Sequence, residues 1–516
     1  MKKKILSLMI SFLLSFIISI PALADVILPT TEKQYHEQID KIWKKQKARY
    51  QLLISKSSDN PRILYNIQGE TNNLLKYAGY CKKYALLDEL SGLYLRSLNT
   101  LKTTDQYVYE YFPQNKRLSV HTLDKKYRMW VNDAKPVGQE VILDSSQYLY
   151  LLSDVVSIIV DIEKDKRTPM MREALNKFIP LLVEHYQRWI FNKPGPFQVR
   201  GWGCRYNGEY VPSGMNHYDF VNKKMYYRLG NGTSPAYCNS VRDLDMWIIA
   251  GVTNVLAVYK KEKNLVPITP EEYSRLLNYV QIGAKLIESR FSYSRLRSFE
   301  NNQVIGTLFQ PGTGEEHPDR AFVGYNGQEF PQTTPLNKIK YRKKGVGWDL
   351  SHARRFVHVF ETLLKSKNDL GLDFPTKDHL AKMANQLVYA TFNRDFKKPL
   401  FTNFMDGTNG WYRVNYDKRM GFGYGPWDMS ESVLTGGYGF WSRYSSDTQK
   451  VFLALMDMLK SNDPEIRKHV IEHYETNHWN KYERSRDYDF ERTDDPETQS
   501  VLIQFLPSLC FTKKVE

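Results

Sequence analysis

Ten stretches of this chain repeat apolar residues every three or four positions, and that spacing commits most of it to helix. They lie near 32–56, 70–101, 145–164, 169–191, 241–262, 270–291, 348–367, 376–393, 447–460 and 463–477. In 241–262, Leu244, Ile248, Val252, Val255 and Tyr259 form one stripe, and Trp247, Ile249 and Leu256 form a second. A helix that is apolar almost all round has to be buried on more than one side. Helix start signals agree with the pattern: Pro270-Glu271-Glu272 opens one, and Ser461-Asn462-Asp463-Pro464-Glu465 closes one and opens the next. Strand-like segments are few, at 107–112, 206–229 and 409–418.

The helices arrive in close pairs: 145–164 with 169–191, 241–262 with 270–291, and 447–460 with 463–477. Hairpins in series form either an open solenoid or a closed ring, and the lack of a fixed-period repeat argues against a repeat array. The expected fold is mainly α: an (α/α) toroid, or an incomplete toroid, of antiparallel helix hairpins with long aromatic loops and few short strands. The expected divisions are 1–24, an N-terminal helical region 25–140, a toroid-like catalytic domain 141–490, and a C-terminal segment 491–516.

Residues 1–24 have the pattern of a secretory signal peptide. Lys2 to Lys4 precede the apolar Ile5–Ile20, Pro21 breaks that run, and Ala22-Leu23-Ala24 fits cleavage before Asp25. The expected location is periplasmic or secreted, with no integral membrane segment after cleavage. The net charge of +15, three units of it from Lys2–Lys4, attracts anionic partners. Export sets cytosolic nucleotide chemistry and nucleic acid aside and brings surface polymers forward. Gly312-Thr313-Gly314 is no phosphate loop, because no Lys-Ser/Thr follows at the required spacing.

Four cysteines, Cys81, Cys204, Cys238 and Cys510, allow two disulfides in an oxidising compartment. Cys204 and Cys238 bracket a loop-rich stretch and are the favoured pair, leaving Cys81 and Cys510 as a terminus-to-terminus staple or as free thiols. No C-x-x-C or zinc-site spacing occurs, so neither a metal nor a cofactor is expected.

Function is expected in the long loops 192–240, 296–347 and 400–446, because loops of such length inside a compact domain are usually functional or disordered. Their aromatic content, including Trp202, Tyr424 and Trp427, argues against disorder. Three constellations carry possible chemistry. In Pro212–Asp219, an amide (Asn216) neighbours an imidazole (His217). Removing a proton alpha to a uronate carboxylate needs both a neutralising group and a base near neutral pKa. In Gly347–Phe356, Asp349 is a plausible N-cap, and His352 and Arg355 share one face where the core stripe begins, a place suited to anion binding. From Asn403 to Trp441, glycines alternate with aromatic rings that could serve as sugar platforms, and Arg413 adds a planar donor.

Together, the signal-like leader, the paired helices, the Asn216-His217 loop and the His/Arg/Tyr group resemble the (α/α) toroid polysaccharide lyases and their uronyl-epimerase relatives over about residues 140–480. The resemblance implies β-elimination on an acidic, uronate-containing polysaccharide or oligosaccharide. It casts Asn216 as carboxylate neutraliser, His217 or His352 as base, Tyr412 or Tyr218 as acid and Arg355 as assistant. Trp202, Tyr218, Trp348, Trp411, Arg413, Tyr424 and Trp427 would contact substrate. The β-sandwich domain that many such lyases carry after the helices is not evident here. Two further readings stay open: a glycoside hydrolase using two of Asp349, Asp406, Asp428 and Glu431, and a non-catalytic glycan-binding or host-interaction protein.

Overall fold

A computed structural model describes residues 32–58, 60–103, 107–112, 117–122, 126–131, 139–193, 198–199, 202–206, 209–212, 214–225, 240–312, 318–329, 331, 341–414, 423–475 and 496–512. The leader therefore lies outside the described residues. The chain is mainly helical, with short two-stranded sheets. Its longer helices are α1 (Glu32–Ser55), α2 (Arg62–Tyr80), α3 (Tyr84–Leu95), α4 (Ile142–Val160), α5 (Pro169–Phe191), α6 (His217–Met225), α7 (Asp243–Lys261), α8 (Pro270–Glu288), α9 (Arg355–Lys365), α10 (Lys377–Gln386), α11 (Ser446–Lys460) and α12 (Pro496–Ser508).

The apolar periodicity explains which helices lie deepest. Every residue of α7 from Leu244 to Tyr259 is buried, and in α4 only Leu143 and Ile158 escape full burial. These two helices pack on each other, with α5, α8 and α9 also against α7 and α2 against α4. The close approach of α5 to α7 depends on Gly251, where an added Cβ would stand 1.9 Å from the Tyr186 hydroxyl. Polar residues inside this interface are paired: Asn254 Nδ2 donates to Ser153 Oγ and Asp154 Oδ1, both at 3.0 Å, and Lys76 faces Asp154 at 2.8 Å. Burial without such partners would cost more than the packing returns.

Helix ends follow local chemistry. Thr168 caps α5 by accepting from Met171 N, with Pro169 at the first position, and Thr269 and Glu272 form a reciprocal capping box on α8. The expected single helix over 70–101 is in fact two, α2 and α3. Lys82 adopts φ 51°, and Lys83 N donates back to Ala78 O at 2.8 Å, closing the helix through a left-handed residue that is not glycine. The 206–229 strand expectation is also corrected. Among the described residues it holds for the hairpin 203–206/209–212, and 217–225 is instead the helix α6. The loop expected from 296 contains a strand: 291–297 and 303–309 pair in antiparallel register, Phe309 opposite Phe291, and the hairpin packs on α10.

The two ends of the described chain meet. Helix α12 packs on α1 and α2; Asn73 Nδ2 donates to Gln504 O (2.8 Å) and the Tyr35 hydroxyl to Leu506 O (2.9 Å). Cys81 and Cys510 are disulfide-bonded, with sulfurs 2.33 Å apart, which selects the staple over free thiols. The side chain of Cys204, and Cys238, lie outside the described residues. One apolar core runs from Ile39 to Leu509. Among the described residues no helix is long and apolar enough to cross a membrane.

Because the disulfide closes a separation of 429 residues, it restricts the unfolded chain over most of its length. Cys510→Ser should lower stability in denaturant titration by about 2–4 kcal/mol. Non-reducing peptide mapping should recover Cys81 linked to Cys510.

Candidate active-site cleft

Four remote pieces of chain converge on an open cleft of about 120 Å³: the start of α7 (Ser240–Asp243), Asp319 and Arg320, the turn Trp348–His352, and Phe404 with Tyr412 and Arg413. The turn is built around Asp349. Its buried carboxylate caps the helical turn Leu350–Ala353, accepting from His352 N at 3.1 Å and from the Ser351 hydroxyl. The other oxygen, Oδ2, lies 2.7 Å from His352 Nδ1. Burial works to raise the Asp349 pKa, but His352, Ser351 and the more distant Arg413 overcome it and hold the carboxyl well below its usual range. A carboxylate at Nδ1 fixes the proton there and leaves Nε2 as the basic nitrogen. Nε2 has no hydrogen-bond partner among the described residues.

The Tyr412 hydroxyl stands 3.3 Å from His352 Nδ1. Burial pushes its pKa well above the normal value, Asp349 and Asp319 add to that, and Arg413 opposes it. The phenol therefore keeps its proton at neutral pH. Arg413 Nε donates to Asp319 Oδ2 at 3.1 Å, and its guanidinium lies 5.1 Å from the centre of the Tyr412 ring. Arg413 sits at φ 55°, a left-handed conformation costly for a side chain of this kind.

That backbone path is held by a residue the sequence reading did not select. Buried Asn403 donates to Gly410 O (3.0 Å) and Gly425 O (2.8 Å) and accepts from Met429 N (3.0 Å), while Leu350 N donates to Asn403 O (2.9 Å). Asn403 thus fastens the aromatic loop to the His352 turn, and Tyr412 and Tyr424 exchange two backbone hydrogen bonds beside it. Arg242, Asp243, Asp319 and Arg320 were also missed. Arg320 spends its guanidinium on Val346 O (2.8 Å) and Gly347 O (3.2 Å), bracing the approach to Trp348. The one sequence signal that could have found Arg242 and Asp243 is a charged pair opening a helix otherwise apolar all round.

Of the expected site residues, His352, Tyr412, Arg413 and Trp348 line this one cleft. Trp348 lies within it with its ring stacked on Phe356, centroids 5.1 Å apart. Arg355 lies just behind, reaching Tyr65 OH (2.9 Å) and the cleft-lining Asp243 (3.4 Å). Tyr424 stacks on Tyr412, and half-buried Trp427 is tied through its N–H to Asn409.

The remaining expected residues lie outside the cleft lining. Asn216 Oδ1 accepts from Asp219 N (2.8 Å) at the start of α6, which is a capping role. His217 is fully buried; its Nδ1 meets Tyr279 OH at 2.8 Å and its Nε2 meets Asp245 Oδ1 at 3.0 Å, so neither nitrogen is open to a substrate. Trp202 is wholly buried, donating to Met215 O, with its ring 4.9 Å from His217. Tyr218 receives a hydrogen bond from Asn278 on α8. Trp411 is buried in a satellite cluster with Phe322 and donates to Gly327 O, so its faces cannot serve as a platform. Of the four carboxylates considered for hydrolysis only Asp349 lines the cleft. Asp406 pairs with Lys343, and buried Asp428 accepts from Gly425 N.

His217 belongs to a closed charge cluster. Asp245 Oδ2 accepts from Lys224 Nζ (2.6 Å) and from Arg242 N (2.8 Å), so the cluster sits directly behind the cleft rim. Burial lowers the His217 and Lys224 pKa values, with Asp245 pulling the other way. Burial works to raise Asp245, but Lys224, His217 and Arg242 hold it well below its ordinary value. Among the described residues, no three His, Cys, Asp or Glu side chains gather as a metal site. No protein-family model, curated protein or solved structure matches this chain.

Asp245→Asn leaves the Lys224 ammonium buried without its counter-charge and should cost about 3–5 kcal/mol of stability. Because the folded Asp245 pKa is depressed, its contribution is complete above the ordinary carboxylate value of about 3.9 and is lost as pH falls below it. The acid limb of a stability–pH profile should accordingly be shallower in Asp245→Asn than in the parent. His217→Ala should likewise show as lost stability and not as a specific loss of turnover.

Proposed function

We propose that the protein is an exported polysaccharide lyase that cleaves a uronate-containing glycan by β-elimination. The observation that carries this reading is the Asp349–His352–Tyr412 arrangement, with Arg413 beside it, on the wall of one open cleft. His352 Nε2 is placed to take the proton alpha to the uronate carboxylate. The C–H electron pair becomes the new C=C bond as the bond to the glycosidic oxygen breaks. The protonated Tyr412 hydroxyl supplies the proton that the leaving oxygen needs; His352 Nε2 then gives up the abstracted proton to water and the phenolate takes one from water, which restores both groups. Asp349 stabilises the imidazolium formed in between. With Asn216 outside the cleft, carboxylate neutralisation falls to the guanidinium of Arg413.

Further support comes from the helix contacts. Helices α2, α4, α7 and α9 pack neighbour to neighbour, and α12 packs back on α2 and against the short helix Glu431–Thr435. That series is what an incomplete (α/α) toroid would give. The Cys81–Cys510 bond favours an oxidising compartment, in keeping with export.

Incubation with alginate, heparin, hyaluronate and pectate, followed by unsaturated-uronate absorbance, tests the chemistry. At least one polymer should give a steady rise. His352→Ala and Tyr412→Phe should each lose about 10²–10⁴ in kcat with melting temperature kept. No rise on any polymer would sink elimination; reducing ends without absorbance would point to hydrolysis, and binding without either to a glycan-binding protein.

A further inference from the structure

Behind the cleft lies a second, smaller chamber of about 10 Å³, lined from α2 by Gln68 and Asn72, from α4 by Gln147, from α7 by Trp247, and by Arg354 and His358. It has room for little more than one water-sized body. Buried polar atoms converge on it without partners among the described residues: both side-chain ends of Asn72, Gln147 Oε1, Trp247 Nε1, His358 Nδ1 and Arg355 Nε. Native interiors pair nearly all such atoms, so several orphans in one place mark a site for something else.

The charges decide what that is. Lys76 is neutralised by Asp154 at 2.8 Å, and Arg355 by Asp243 at 3.4 Å. Half-buried Arg354 lines the chamber and makes no ion pair or hydrogen bond among the described residues; Glu431 acts on its charge only through space. A guanidinium without a directly paired anion is stabilised by a further negative charge set beside it. The orphan atoms include the N–H donors of Asn72, Trp247 and Arg355 Nε, with His358 Nδ1 a further donor in its Nδ1–H tautomer, against two acceptor oxygens, Asn72 Oδ1 and Gln147 Oε1, whose amides can turn their N–H ends inward. A cation is disfavoured by Arg354, and a sugar carboxylate is too large for the space.

We propose that this chamber binds one monovalent inorganic anion of halide size, held by the Arg354 guanidinium and by N–H groups of Asn72, Trp247 and His358. This site goes beyond the lyase reading, and its test reads stability and ion position, so each can fail without the other.

The test melts the full-length protein in chloride and in gluconate at equal ionic strength, gluconate being too large to enter. Chloride should give a saturable rise in melting temperature of about 2 °C. Arg354→Met should abolish that rise. Asn72→Leu, which keeps the charge and removes one donor, should shift its midpoint to about tenfold higher chloride. Crystals grown in bromide should show an anomalous peak between Arg354 and Trp247. Equal melting in both salts, an unchanged chloride response in either variant, or bromide crystals with no peak in the chamber would each overturn the proposal. Should Arg354→Met not fold, Asn72→Leu and the bromide crystals still decide it.

Discussion

A helix buried from its second residue onward needs protein partners for the N–H groups at its start, and α7, buried from Leu244 to Tyr259, is such a helix. Its start is satisfied internally by Asp245, which accepts from Arg242 N. A buried carboxylate then needs positive partners, and Lys224 and His217 from α6 supply the charge and the hydrogen bond. The chain from 217 to 225 is thereby drawn against α7 and α8. The same demand fixes Arg242 and Asp243 at the rim, where Asp243 meets Arg355 from behind the cleft. The position of the cleft thus follows from where a helix with so deeply buried a body can begin.

Much of the fold was legible because helical periodicity is a local signal. The expected 241–262, 169–191 and 270–291 correspond to α7, α5 and α8 within a few residues at each end. The misses have physical reasons. The α2–α3 break uses Lys82 in a left-handed conformation, and no glycine or proline announces it. The 291–309 hairpin was hidden because Phe291 continues the apolar pattern of α8 and so reads as its last turn.

The site was legible only in part, because sequence gives neighbours along the chain and not depth. Asp349 and His352 are three apart in a capped turn, so their pairing could be read directly. Asn216-His217 has an equally suggestive composition. It folds as the cap and first turn of α6, with the imidazole inside. The same holds for the aromatics: Trp202 and Trp411 serve packing, whereas Trp348 reaches the cleft wall. Asp319 and Arg320 meet the His352 turn only through the folded chain, and nothing in their local pattern sets them apart.

Adjacent residues Arg354 and Arg355 link the two hollow spaces. Arg355 faces both: its Nη2 approaches Asp243 on the cleft wall, and its Nε opens on the inner chamber. The Ser351 carbonyl accepts from the same guanidinium, within the turn that carries His352. Charge placed in the chamber therefore acts on the cleft through one rigid planar group and not through a long path of packing. A guanidinium is suited to this, since its donors are fixed in a fork and cannot reorient singly. Any occupant of the inner space that draws on Arg355 Nε alters how firmly the same side chain holds Asp243 and the Ser351 carbonyl, and with them the turn that carries His352.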